Sequence, residues 1–158
     1  MTQHALNSVA ATDLPERGQP LAGGVFVTRN WLNGEERALV LLDEELTGAW
    51  GKYGEDVAGA KSYSDGAANT RAMAEAGSEL AAKVLELDAH IPSHLEGALL
   101  MSAKADGLIT LREDRWHWLS TQYSAYSAFY MDFEDGWIGS NDKNDGRLVR
   151  PVRSLPIQ

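Results

Sequence analysis

The chain has 158 residues and a mass of 17.2 kDa, the usual size of one domain around one core. It contains no Cys, which excludes disulfides, thiolate zinc sites and cysteine nucleophiles together. With 14 Lys and Arg against 23 Asp and Glu, the net charge is −9 and the pI near 4.8; such a surface repels polyanions, so nucleic acid is not an expected partner.

Residues 1 to 24 hold Asp13, Pro15, Gly18, Pro20, Gly23 and Gly24 with little periodicity. They read as an N-terminal arm over 1–23, either a floppy terminus or a docking arm, ahead of a domain over 24–158. Val25-Phe26-Val27-Thr28 and Trp31 lead through Asn33-Gly34 into Ala38-Leu39-Val40-Leu41-Leu42. The Asn-Gly pair tolerates the positive φ angles of a tight turn, which predicts a β-hairpin. Its second strand is apolar on both faces and belongs inside a sheet. Glu45 to Ala68, with Gly48, Gly51, Gly54, Gly59 and Gly66 beside Trp50, Tyr53 and Tyr63, reads as irregular loops pinned by rings.

After Asn69-Thr70, either of which can serve as N-cap, Met73, Gly77, Leu80, Val84 and Leu87 form the stripe of one amphipathic helix. A second helix opens at Ser93, where Ser93 and Glu96 make a capping box, and stops near Asp106-Gly107. From Leu108 onward the pattern is β. Ser127, Phe129, Met131 and Phe133 share one face, and Ala128, Tyr130 and Asp132 the other. Asp135-Gly136 makes a tight turn before Trp137, a loop spans Ser140 to Gly146, and Leu148 to Arg153 forms the closing strand. Strands, two helices and then antiparallel strands are not the alternation of a parallel nucleotide-binding sheet, and no phosphate-holding glycine motif occurs. No apolar run approaches the roughly 20 residues of a membrane span, so no membrane insertion is expected. Met1 to Ala11 lacks the cationic start and apolar stretch of a secretory signal, which predicts synthesis in the cytoplasm.

Four segments occur in one order: Asp65-Gly66-Ala67-Ala68-Asn69-Thr70; His90-Ile91-Pro92-Ser93 with Glu96; Trp116-His117-Trp118-Leu119-Ser120-Thr121; and Val149-Arg150-Pro151-Val152-Arg153. Together, over roughly residues 24 to 153, they resemble the Lcl C-terminal-type domain family, formerly a domain of unknown function. Ala89-His90 and Leu119 depart from that family's pattern. The resemblance implies an α+β, C-type lectin-like fold: a mixed, mainly antiparallel sheet, two helices and long irregular loops presenting a binding face. It also implies a setting in phage tails or on bacterial surfaces.

Eight of the 13 aromatic residues lie between Trp116 and Trp137. Ring faces pack on apolar C–H surface while hydroxyl and indole groups bond laterally, as in sites that bind sugars or protein. Phe129, Met131 and Phe133 read as core. The candidate ligand-binding residues are Trp116, His117, Tyr123, Tyr126, Tyr130, Asp132, Trp137, Asn141 and Asn144. The loop around Asn141 and Asn144 lacks the spacing of a calcium loop and reads as a polar turn, so no obligatory metal and no cofactor are expected. His90 and His94 are separated by Pro92, which argues against a shared zinc face. Arg150 is expected to pair with a buried carboxylate and lock the last strand. No nucleophile-base pair or aimed carboxylate pair stands out.

The expectation is a non-catalytic phage tail or baseplate adhesin, assembled in the host cytoplasm and carried on the virion. It would bind a host surface glycan or protein through Trp116 to Asp145. The alternative is an architectural tail or fibre subunit, a homo-oligomer or part of a larger assembly, joined to other tail proteins through residues 1–23.

Overall fold

The computed structural model describes residues 7–158. The expected hairpin is present: β2 (Gly24–Leu32) and β3 (Glu35–Leu41), preceded by the short β1 (Pro20–Leu21), turn about Asn33 (φ 51°) and Gly34 (φ 78°). Two consecutive positive φ angles match the twist of antiparallel strands. β3 lies between β2 and β9 (Val152–Pro156) in a sheet ordered β1-β2-β3-β9. Both of its faces are buried, Ala38 and Val40 in one apolar cluster and Leu39 and Leu41 in another. A strand coated on both sides has no polar face to alternate with, and this explains its unbroken apolar run.

The second sheet runs β4 (Leu46–Ala49), β8 (Gly146–Val149), β5 (His117–Gln122), β6 (Ser127–Asp132), β7 (Trp137–Asp142), antiparallel except for the β5–β8 pair. It too divides its side chains. Trp118, Ala128 and Tyr130 enter the first cluster; Leu119, Met131 and Phe133 enter the second. The fold is therefore α+β, with two sheets and the helices α1 (Gly66–Glu75), α2 (Glu79–Glu86) and α3 (His94–Ala105).

The single helix expected after Asn69 is two. Gly77 adopts φ 97° and its N–H bonds Ala74 O, ending α1, while Ser78 accepts the Ala81 N–H and starts α2. The α1 cap is Asp65, whose carboxylate accepts the Ala68 N–H at 3.0 Å; Asn69 and Thr70 lie inside the helix and are fully buried. The Ser93–Glu96 capping box is present at α3.

The N-terminal segment, as far as it is described, is not an arm held away from the domain. Val9 is buried and pairs with Ile157, its N–H bonding Pro156 O at 2.9 Å and its C=O accepting the Gln158 N–H at 2.9 Å. Residues 1 to 6 of the expected arm lie outside the described residues. The Ser140–Gly146 loop is also shorter than expected, because β7 continues through Asp142 and β8 begins at Gly146. Among the described residues Arg150 pairs with no carboxylate. Its guanidinium donates to Leu42 O at 3.1 and 2.7 Å, and burial holds its pKa below the usual arginine value. Arg153 likewise serves carbonyls, those of Ala22, Leu87 and Asp88, and so clamps two corners where Ala22 (φ 48°) and Asp88 (φ 56°) are left-handed.

Three of the four segments singled out in the sequence, those at Asp65–Thr70, His90–Glu96 and Trp116–Thr121, converge on a buried polar network. The Asn69 side chain accepts the Ser62 N–H (3.1 Å) and donates to Ser62 O (2.7 Å) and Ser120 Oγ (3.3 Å). Thr70 Oγ1 donates to Gly66 O and accepts the Ile91 N–H. Thr121 Oγ1 donates to Ser62 O and accepts the His94 N–H. These bonds tie the loop before α1, the start of α3 and strand β5 into one body. Replacing Asn69 with Ala strands the Ser62 amide and removes one of the two donors to Ser62 O, leaving Thr121 Oγ1 as the other, and an unmet buried group costs about 1–3 kcal/mol on top of the bonds lost. The expected outcome for Asn69→Ala is a loss of about 2–4 kcal/mol in urea unfolding, whereas a loss below about 0.5 kcal/mol, the range of ordinary surface changes, would contradict the network's role.

Candidate functional site: an aromatic surface

The polar network carries exposed rings on its outer side. Tyr63 lies in the loop that Asn69 and Thr121 hold, and its carbonyl accepts the Leu95 N–H at the first turn of α3. Its ring sits 4.8 Å from the His94 ring and 5.7 Å from Phe129; Phe129 in turn meets His94 edge-on at 5.0 Å and Tyr123 at 5.4 Å. Across the β5–β6 hairpin turn, Tyr126 packs on Tyr53 at 5.1 Å. Tyr53, Tyr63, Tyr123 and Tyr126 are each between 51% and 63% exposed, and Leu95 beside them is 51% exposed. Large rings normally withdraw most of their area from water, so tyrosines left this open offer apolar ring area together with hydroxyls.

A buried lysine fixes the loop behind Tyr53. Lys143 is fully buried; its Nζ donates to Glu55 O at 2.7 Å and Gln122 Oε1 at 2.6 Å and lies 4.8 Å over the Trp50 ring. Gln122 extends the chain of bonds by accepting the Val57 N–H and donating to Asp56, which pairs with Lys61. Burial lowers the Lys143 pKa, opposed by the nearby Asp56 and Glu55 carboxylates. Trp50 anchors the start of the same loop through its indole N–H to Leu119 O at 2.9 Å. This loop is ordered by a cation and an indole of its own chain.

The candidate residues read from the sequence divide between two faces of the second sheet. Tyr123 and Tyr126 belong to the ring surface just described. Trp116, Tyr130, Asp132, Trp137 and Asn141 lie on the opposite face, as the cross-strand pairs Trp118–Tyr130, Tyr130–Gly139, Asp132–Trp137 and Ala128–Asn141 require. There Trp116 stacks on Tyr130 at 4.3 Å, the Arg147 guanidinium sits 5.2 Å over Trp116, and Arg147 donates to Asn141 Oδ1 at 3.0 Å. Asn144 is exposed in the β7–β8 turn.

Two of these residues are not surface groups. Tyr130 is buried because Gly139 opposite it leaves room; a Cβ there would stand 2.8 Å from the tyrosine hydroxyl. His117 does not line a groove. It is buried edge-on against Phe133 at 4.9 Å, with Nδ1 donating to Arg115 O at 3.1 Å. Burial, aided by the Arg150 charge, pushes its pKa down to about 4. His94, among the exposed rings, is also held below the usual histidine value by burial, and its Nδ1 is sealed from solvent without a partner among the described residues.

Sequence reading missed Tyr53, Tyr63 and His94 as members of the surface. Tyr53 and Tyr63 stood out only as loop rings, since nothing local shows that a segment 60 residues before Tyr123 folds beside it. No protein-family model matches the chain, and no curated protein sequence matches it. Its functional reading rests on residues and geometry.

The His117 environment makes a pH prediction. A group whose folded pKa lies at about 4 against an ordinary 6.5 favours the unfolded state as protons bind between those values. At about 1.36 kcal/mol per pKa unit, the effect reaches about 3 kcal/mol. The difference in unfolding free energy between wild type and His117→Gln should be flat above pH about 7, fall as the pH drops from 6.5 towards 4, and level off below that. A difference that stays flat down to pH 4 would contradict a buried neutral imidazole.

Proposed function

We propose that the chain is a non-catalytic binding module, of the kind carried on a phage tail or baseplate, that docks a cell-surface saccharide or protein through Tyr53, Tyr63, Tyr123 and Tyr126. The observation that carries this reading is the exposure of those four rings on segments held in place by hydrogen bonds to the buried Asn69, Thr121 and Lys143 side chains. A ring held rigid loses little conformational entropy on binding, and most of its apolar area is still available to a partner. The tyrosine hydroxyls ring that area with donors and acceptors, which suits the alternating C–H faces and hydroxyls of a pyranose. The C-type lectin-like likeness of the four sequence segments and the virion setting it implies belong to the same proposal.

An architectural reading is favoured by one feature. Trp137, on the terminal strand β7, is 64% exposed on the opposite face, where a neighbouring subunit of a tail or fibre could cover it. The two readings place the contact on different faces and are separable by mutation.

Binding to a glycan array or to host cells should fall about tenfold or more in Tyr63→Ala and Tyr126→Ala, the size of loss that a central aromatic contact produces. Trp137→Ala should bind as wild type, with all three variants unfolding at the wild-type urea midpoint. Full binding by both tyrosine variants would refute the ring surface as the contact. Loss in Trp137→Ala, together with loss of self-association by light scattering, would support the architectural reading instead.

A further inference from the structure

A cavity of about 320 Å³ lies between the start of α1 and the tip of the β2–β3 hairpin, walled by Asn33, Arg37, Asp65, Arg71, His90 and Glu96. A neighbouring cavity of about 240 Å³ shares Ala67, Arg71, His90 and Ser154 with it. Together they fall in the size range of small-molecule sites. None of the exposed rings lines either one.

His90 is the fixed point of this cavity. It is 4% exposed, and its backbone N–H and C=O both bond Val152, at 2.8 and 2.9 Å. Its Nε2 lies 3.1 and 3.0 Å from the two Glu96 oxygens, and Glu96 also accepts the Ser93 N–H. A carboxylate oxygen accepts hydrogen bonds, so Nε2 carries the hydrogen, and in the Nε2–H tautomer Nδ1 is an acceptor. Nδ1 has no hydrogen-bond partner among the described residues, nor is it one of their solvent-sealed orphan atoms. Gly66 clears the space beside this pair, since a Cβ there would collide with Glu96 Oε1 and stand 2.8 Å from both His90 Cδ2 and Ile91 O.

The remaining wall offers donors and acceptors without a surplus of either charge. Arg37 is engaged by Ser154 and Glu35, whereas Arg71 has no hydrogen bond or ion pair among the described residues. Asp65 uses Oδ1 on the Ala68 N–H, and its Oδ2 has no hydrogen bond among the described residues. Arg37 and Arg71 (+2) against Glu35, Asp65 and Glu96 (−3) leave −1 with His90 neutral. That sign disfavours an anion. Among the described residues no three His, Asp or Glu side chains gather to hold a metal ion. What such a wall fits is a neutral molecule whose groups both donate and accept.

We propose that this cavity binds one unit of a neutral polyhydroxyl ligand, a hexopyranoside, with hydroxyls donating to Asp65 Oδ2 and His90 Nδ1 and accepting from Arg71. The site is separate from the ring surface and stands or falls without it. The test follows the His90 ring C–H signals by NMR in the full chain. Methyl glucoside, mannoside and galactoside are added in turn to about 50 mM, enough to detect millimolar affinity, with glucuronate as the charged comparison. At least one neutral glycoside should shift the His90 signals saturably. Arg71→Ala should weaken that binding about fivefold or more, the effect of one lost partly exposed hydrogen bond. Ala67→Trp, which fills the shared wall, should abolish it, and Tyr126→Ala should leave it unchanged. Arg71 is exposed, so its variant decides the matter even if Ala67→Trp fails to fold. No saturable shift at His90 from any neutral glycoside, tighter binding of glucuronate than of all of them, or unchanged affinity in Arg71→Ala would each overturn the proposal.

Discussion

Asn69, Thr70, Ser93, Ser120 and Thr121 are removed from water, and each must then find its hydrogen bonds inside the protein or leave a costly orphan. Their partners lie far apart in sequence: Asn69 reaches Ser62 and Ser120, Thr70 reaches Ile91, Ser93 reaches Ser64, and Thr121 reaches Ser62 and His94. One geometry satisfies all of them. That geometry sets the angle between α1, α3 and β5, and so decides where the loop from Trp50 to Asp65 can run. A network of this kind specifies a unique arrangement more strictly than apolar packing does, since each unsatisfied member costs more than a poorly packed methyl group.

The surface follows from that constraint. The loop leaves Trp50, whose indole bonds Leu119 O, passes over the buried Lys143, and returns at Ser62, which Asn69 and Thr121 hold. Tyr53 and Tyr63 project from the two halves of this path, and the β5–β6 hairpin brings Tyr123 and Tyr126 alongside. The loop has little regular structure but is pinned at several points along its length. The same network positions the cavity beside α1, because Thr70 holds the carbonyl of Gly66, which lines its wall, while Glu96 both caps α3 and orients His90.

Local chemistry made parts of this architecture readable in the sequence. Asn33-Gly34 specifies its turn through backbone conformation alone, Ser93 and Glu96 specify a helix start within four residues, and the apolar run of β3 announces an interior strand. The break at Gly77 was present in the sequence but hidden, because the apolar stripe continues in phase from Met73 to Val84 across it. The candidate site was half legible. Strand alternation places Tyr130 opposite Phe129, yet alternation does not say which face meets water, and the ring is sealed away by its pairing with Gly139 and the Trp116 ring stacked on it. Lys143 carried no signal, since a lysine among Asn and Asp reads as solvent-exposed until Trp50, Glu55 and Gln122 are brought around it. Arg150 looked like the partner of a carboxylate, and it and Arg153 instead satisfy carbonyls at chain corners, which have no sequence signature.

If the buried polar network is the keystone, the amides it holds open only when the whole molecule unfolds. Native-state hydrogen exchange can read this at the N–H groups of Ser62, Ile91 and His94, which donate to Asn69, Thr70 and Thr121 side chains. Those three amides should exchange with the same free energy as the central β3 amides Leu39 and Val40. Exchange of Ser62 and His94 through a local opening several kcal/mol below the global value would mean that the loop bearing Tyr53 and Tyr63 is held by something other than this network.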